Sequence, residues 1–461
     1  MVISTKIQEM LRGDLLGPFE SIFPKIDNIN QGNKRDRTYN EENTLMTMVM
    51  TATQEDRTLQ NSVHIFRNVF KKRVGAEQKK EEKILSLCRK EDERNDKPKR
   101  GRPRKHKSLL QKSKQKDISL NTASYTVARQ RLSKEKVLEA YQKSRYIELS
   151  KKCKKWHGRE VYIADGTYLQ LQDTPELRAK YTKAKSSDRK FDGYPQALIE
   201  GLIHQESGCL HDFELSGRKV SELELVYPIL ERLPPKSLIL ADDLYNTYAL
   251  FSMAGKLGLD LIVPAKRKRN YKVIEKIESG DEIIEIKRTQ RPDWMPTNEE
   301  MPETIRLRRI CYENPQSPNI SRVLMTTILE KNIDKTSIIL KYMTRWDVEI
   351  SIRELKTIMG INVVRSKSHD MVYKEITTAF IAYNLIRKLI HEASQPLFPP
   401  DEDIFQIFYS YGQGVLMDKL GRVYNRWSPG RHRNSDTGDA KPLISREARQ
   451  KIFEKNKDGE I

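Results

Sequence analysis

Between Tyr342 and Lys356 the chain reads YMTRWDVEISIRELK, three basic and three acidic residues among bulky apolar ones. On a helix turning roughly 100° per residue, Tyr342, Arg345, Glu349 and Lys356 fall within about 60° of one another. Asp347 and Glu354 point away from this line, and Met343, Trp346, Val348, Ile350, Ile352 and Leu355 cover much of the remaining surface. A polar stripe carrying a phenol, a guanidinium, a carboxylate and an ammonium suits a phosphodiester with a metal ion beside it. Arg and Lys hold phosphate oxygens, and a carboxylate among them holds a divalent cation. The plain alternative is a surface helix laced with ion pairs three and four residues apart.

Two more carboxylates stand in suggestive places. The apolar run VYIA ends at Asp165, before Gly166, and SLILA ends at Asp242, with Asp243 following. An acid at the end of a buried strand is costly unless it is paired or ligates a metal. Asp-Gly is also a turn signal, and Asp243 could cap a helix. Two such acids, with the Glu349 stripe downstream, form the donor set of a two-metal phosphodiester clamp. One ion activates the attacking oxygen and the other stabilises the leaving one. Oxygen-only ligands favour Mg²⁺, with Mn²⁺ as a substitute, over zinc.

These residues resemble a known family. The order Asp165, Asp242, Glu349 is similar to the DDE triad of ribonuclease-H-like transposases. Tyr342-x2-Arg345-x3-Glu349-x6-Lys356 resembles the Y-R-E-K signature of bacterial insertion-sequence transposases, family four among insertion sequences. Asp165-Gly166-Thr167 and Asp242-Asp243-Leu244-Tyr245 resemble that family's two aspartate blocks. The family also carries a β-strand insertion between its second Asp and its Glu, an interval of 349 − 242 = 107 residues here.

The resemblance implies an α/β fold: a ribonuclease-H-like catalytic core with a β-strand insertion, plus a helical N-terminal DNA-binding region. It implies that Asp165 bridges two Mg²⁺ ions and that Asp242 and Glu349 complete one shell each, with a one-residue shift to Asp243 left open. Tyr342, Arg345 and Lys356 would grip phosphates beside the scissile bond. Trp346 and Trp294 are candidates for stacking a flipped base, or equally for packing. The implied activity is Mg²⁺-dependent cleavage at the element ends and transfer of the 3′-hydroxyl ends to target DNA, by a DNA-bound homodimer. A nuclease on the same fold, or a non-catalytic DNA-binding descendant, are the rival readings.

The rest of the chain is consistent with a polyanionic partner. Its 84 Lys and Arg against 64 Asp and Glu give a formal charge of +20, and its mean hydropathy is −0.71. Such an excess favours nucleic acid. No apolar run approaches the length of a membrane span, and the N-terminal residues lack a signal-peptide core. The expectation is a cytoplasmic, nucleoid-associated protein without a membrane partner or small-molecule substrate. Cys88, Cys153, Cys209 and Cys311 stand singly, which argues against a zinc module or a disulfide framework. His204 and His211 read as structural or surface residues on a hairpin.

Residues 1–95 read as helical, with 62–73 the clearest amphipathic piece. A basic linker over 96–117 contains KPKRGRPRKHK. Its GRPR, with Arg102 and Arg104, resembles an AT-hook that lies in a narrow minor groove, or contacts phosphates nonspecifically. A helical segment follows over 118–155, with Ser133 as an N-cap. The catalytic domain is expected over 156–265 and 340–395, the insertion over 266–339 and a polar tail over 396–461. Strands are expected in 161–171, interrupted at Asp165-Gly166, in a hairpin over 196–217 around Ser207-Gly208, and in 236–243, 260–265 and 281–329. SELELVYPILERL, TYALFSMAGKLG and 374–393 read as helices. AKRKRNYK (265–272), with Lys266 and Arg267, reads as a basic loop that either holds the DNA backbone or is simply solvated.

Overall fold

A computed structural model describes residues 38–54, 56–68, 119–145, 155–181, 193–266, 269–295, 300–314, 317–345, 355 and 360–394. The chain divides into two compact units, one of Met1–Gly13, Arg145–His369 and Ile386–Ile461, the other of Asp14–Ser144 with Asp370–Leu385. Among the described residues no helix is long and apolar enough to cross a membrane.

The described part of the second unit is helical. It holds α1 (Glu41–Ala52), a helical stretch at 59–68, α2 (Ala123–Arg131) and α3 (Lys134–Ser144). Asn40 caps α1 by accepting from the Asn43 amide at 2.7 Å, and Ser133 caps α3 through the Lys136 amide at 3.3 Å, as the sequence leads one to expect. Tyr39 packs between Phe66 and Tyr125, with ring centroids 4.6 and 5.3 Å away. The buried Lys374 ammonium donates to the carbonyls of Arg129 and Gln130 at the end of α2, where unpaired carbonyls favour a cation.

The first unit is built on one sheet. Its elements are β1 (Glu160–Gln170), α4 (Pro175–Lys180), β2 (Gln196–His204), β3 (Leu210–Gly217), α5 (Glu222–Glu231), β4 (Ser237–Leu240), α6 (Tyr248–Leu257) and β5 (Asp260–Pro264). Then come β6 (Lys272–Glu278), β7 (Asp281–Lys287), β8 (Thr304–Asn314), β9 (Ser317–Thr326), α7 (Lys335–Met343) and α8 (His369–Ser394), whose middle belongs to the helical unit. The nine strands lie in the order β3-β2-β1-β4-β5-β9-β8-β7-β6. β1, β4 and β5 are parallel neighbours, and the other pairings are antiparallel.

The all-apolar β4 is buried throughout, as a strand covered on both faces must be. On one face Tyr162, Ala164, Ile239, Ala241, Leu261 and Val263 meet Val226 and Ile229 of α5 and Leu250 and Ala254 of α6. Gly258 ends α6 in the left-handed conformation, φ 67°, which lets its amide close the last turn.

Two local expectations are corrected, and one strand is added. First, β1 is not interrupted at Asp165-Gly166: both stay in the ladder, opposite Gly201 and Glu200 of β2. Cross-strand pairing overrides the turn preference of the dipeptide. Second, KVIEKIE forms β6 at the sheet edge, where its charged side chains are exposed and blunt an open strand. Third, Tyr342 and Arg345 do not share an uninterrupted helix. α7 stops at Met343, because the Thr344 hydroxyl bonds the Lys341 carbonyl at 2.6 Å and the Arg345 amide turns back to Tyr342 at 2.9 Å.

Candidate active site

The parallel pairing of β1 with β4 sets the site. Ile163 stands beside Leu240. Continued two residues past that last rung, the register carries Asp165, in the middle of β1, towards Asp242, just beyond the end of β4, and Asp165 feels the charge of Asp242. β4 ends at Leu240, and Asp242 is held in extended backbone, φ −83° and ψ −173°. Its Oδ1 accepts the Leu244 amide at 2.8 Å and so caps a short 3₁₀ turn over Asp243–Tyr245.

Burial raises the Asp165 carboxyl to a pKa of about 6; the charge of Arg345 opposes the shift, while Asp242 and Glu222 add to it. Arg345 also hydrogen-bonds the Tyr342 side chain, whose hydroxyl is pushed up to about 12 by burial. Tyr342 feels the charge of Asp242 as well. Asp165, Asp242, Tyr342 and Arg345 therefore form one electrostatic cluster although up to 345 − 165 = 180 residues separate them.

Asp243 turns elsewhere and pairs with exposed Lys266 at 2.5 Å. Beside this pair, Arg269 donates to the Asn246 carbonyl, and both line a cavity of about 350 Å³. Trp294 packs half-buried against the core under α5, its ring 6.1 Å from Tyr227. Trp346, Glu349, Lys356, Arg102, Arg104 and Arg267 lie outside the described residues.

Two acids went unnoticed in the sequence. Glu200 of β2 is fully buried; its Oε1 accepts the Tyr245 hydroxyl at 2.7 Å, and its Oε2 meets no hydrogen-bond partner among the described residues. Burial drives its carboxyl well above the ordinary range. Glu222 opens α5 and lays its carboxyl over Gly166: a Cβ built there would come within 2.3 Å of Glu222 Cδ. Glu222 ends no apolar run, and Glu200 follows the short run Ala197-Leu198-Ile199 but is succeeded by more apolar residues, so cross-strand pairing and the α5 crossover are what set the two acids apart.

The donors present fit a hard divalent cation: carboxylate oxygens that repel one another, with burial magnifying the repulsion. Among the described residues no three Asp, Glu, His or Cys side chains converge into a complete metal site.

A family model described as "Transposase DDE domain" matches residues 156–385. The chain is similar to transposase InsG for insertion sequence element IS4 of Escherichia coli K12, with 25% identity over 314 residues, 66% of this chain and 68% of that protein. It is also similar to putative transposase InsZ of the same strain, with 27% identity over 143 residues, 31% and 44% of the respective lengths. Among solved structures, a synaptic complex of piggyBac transposase with hairpin DNA covers 98% of this chain and 90% of that one at 10% identity. Its TM-score of 0.35 is too low to transfer any residue.

Proposed function

The chain belongs to the insertion-sequence DDE transposases, and from that premise we propose that it binds the terminal inverted repeats of its element, cleaves at their ends and joins the 3′-hydroxyl ends to target DNA. The observation that carries this reading is the registered pair Asp165 and Asp242, with Arg345 and Tyr342 in the same cluster. The order β3-β2-β1-β4-β5 supports a ribonuclease-H-like core, with β6–β9 as the inserted strands.

In this reading Asp165, Asp242 and Glu349 hold Mg²⁺, and Mn²⁺ substitutes. When bound, the ions supply a lowered pKa for the attacking hydroxyl and charge neutralisation at the leaving oxygen. Arg345 and Lys356 fix the phosphate by charge-assisted hydrogen bonds, and Tyr342, protonated at neutral pH, donates to it. Asp242 is preferred over Asp243 because Asp243 is spent on Lys266. Trp346 and Trp294 are the stacking candidates. Lys266 and Arg267 would hold the DNA backbone near the cleft, and Arg102 and Arg104 would contact it through the linker. A homodimer bridging two DNA ends, acting on the nucleoid in the cytoplasm, completes the proposal.

The test is cleavage of the element's own flanked ends with Mg²⁺ or EDTA, comparing the wild type with Asp242→Asn and Glu349→Gln. Metal-dependent nicking at the boundary, lost in both variants while DNA binding persists, is the expected result. Binding without nicking by the wild type would turn the reading to a non-catalytic descendant. Nicking without strand transfer would turn it to a nuclease.

A further inference from the structure

Gly166 has no side chain, and the Glu222 carboxyl occupies the space where one would sit. Gly166 stands directly opposite Glu200 in the β1–β2 ladder, and residues so paired share a face. Two carboxyls therefore lie on the same face, Glu200 fully buried and Glu222 half-buried. Ser221 caps α5 by accepting from the Glu224 amide at 3.2 Å, so capping is served without Glu222. The Glu200 Oε2, fully buried, has no hydrogen-bond partner among the described residues, and the charges it feels are those of Glu222, Asp165 and Asp242. Glu222 in turn feels Asp242. Like charges in low dielectric are retained where a cation compensates them.

We propose that Glu222 is a fourth carboxylate of the metal site, reaching the ion through a metal-held water, with Gly166 left bare to admit it. This rests on the transposase reading of Asp165 and Asp242. The role is water-mediated because Glu222 lies over Gly166, and along a strand the residue next to it, Asp165, faces the other way. Glu200, anchored by Tyr245 and pushed towards its neutral form by burial, backs the Glu222 carboxyl.

The test is Mn²⁺ binding to the full chain, read from the electron paramagnetic resonance of free Mn²⁺, with thermal melting in EDTA alongside. Glu222→Gln should weaken binding about tenfold, as loss of an outer ligand does, and should melt no lower than the wild type, because it relieves repulsion. Gly166→Ala, which pushes the carboxyl aside, should weaken binding in the same direction. Glu224→Gln, in the same helical turn, should bind as the wild type does. Wild-type affinity in Glu222→Gln, with Asp242→Asn weakened, would overturn this inference and leave the triad standing. Affinity unmoved by Asp242→Asn would sink the transposase site and this inference together.

Discussion

The central and the outer strands of the sheet handle buried charge in opposite ways. In the outer strands, fully buried Arg308 of β8 donates to both oxygens of Asp281 at 2.8 and 2.5 Å. The same guanidinium donates to the Glu330 and Ile333 carbonyls at 2.9 and 2.7 Å, which ties down the approach to α7. Around β1 and β4, the Asp165 carboxyl feels the like charges of Asp242 and Glu222, with Arg345 in opposition, and Glu222 feels Asp242. A charge matched within the chain serves the fold. A charge left in excess is stable only with something added, and that is the physical mark of a binding site.

The sharpest break between the two regions should come from removing one buried charge from each. Asp165→Asn should lower cleavage of flanked ends by on the order of 10³-fold while its melting temperature in EDTA stays level or rises. A fall in melting temperature would mean that Asp165 is structural. Arg308→Ala should do the reverse, costing about 3–5 kcal/mol in urea unfolding because Asp281 is left buried and unpaired. Unchanged unfolding would remove the contrast altogether.

A smaller effect concerns His211, whose ring lies 4.9 Å from that of Tyr162 and whose pKa is lowered to about 4 by burial and then by Arg145. The folded value lies below the unfolded 6.5, so the unfolded chain takes up the proton first. Stability is therefore retained above pH 6.5 and lost as pH falls towards 4, by no more than about 3 kcal/mol. His211→Phe should flatten the unfolding free energy relative to the wild type in that window and leave it parallel above. The smallest change is Tyr245→Phe, which deprives Glu200 of a hydrogen bond and should cost about 1–2 kcal/mol. A melt indistinguishable from the wild type would show that the bond is not holding the Asp242 turn.

Much of the sheet could be read locally. β4 announces itself as an unbroken apolar run, the β2–β3 hairpin by Ser207-Gly208, and α6 by its terminal glycine, because each signal acts within a few residues. Asp165 and Asp242 stood out for the same reason, as acids ending apolar runs. KVIEKIE escaped notice because edge pairing, not burial, makes it a strand. The wheel put Tyr342 and Arg345 on one stripe, and their side chains are hydrogen-bonded, but the helix carrying them stops at Met343, where the Thr344 hydroxyl bonds a helix carbonyl.

What the sequence by itself determined is the chemistry available: the carboxylates, the Tyr-Arg pair, the basic excess and the strands and helices that carry them. Only the tertiary structure decided which acids stand together. Register between β1 and β4 aligned Asp165 with Asp242, pairing of β1 with β2 set Glu200 against Gly166, and the crossover through α5 delivered Glu222 to the same place. Those relations are non-local. Spacing along the chain encodes periodicity within one element, whereas the distance between carboxylates is set by hydrogen bonds between strands far apart in sequence.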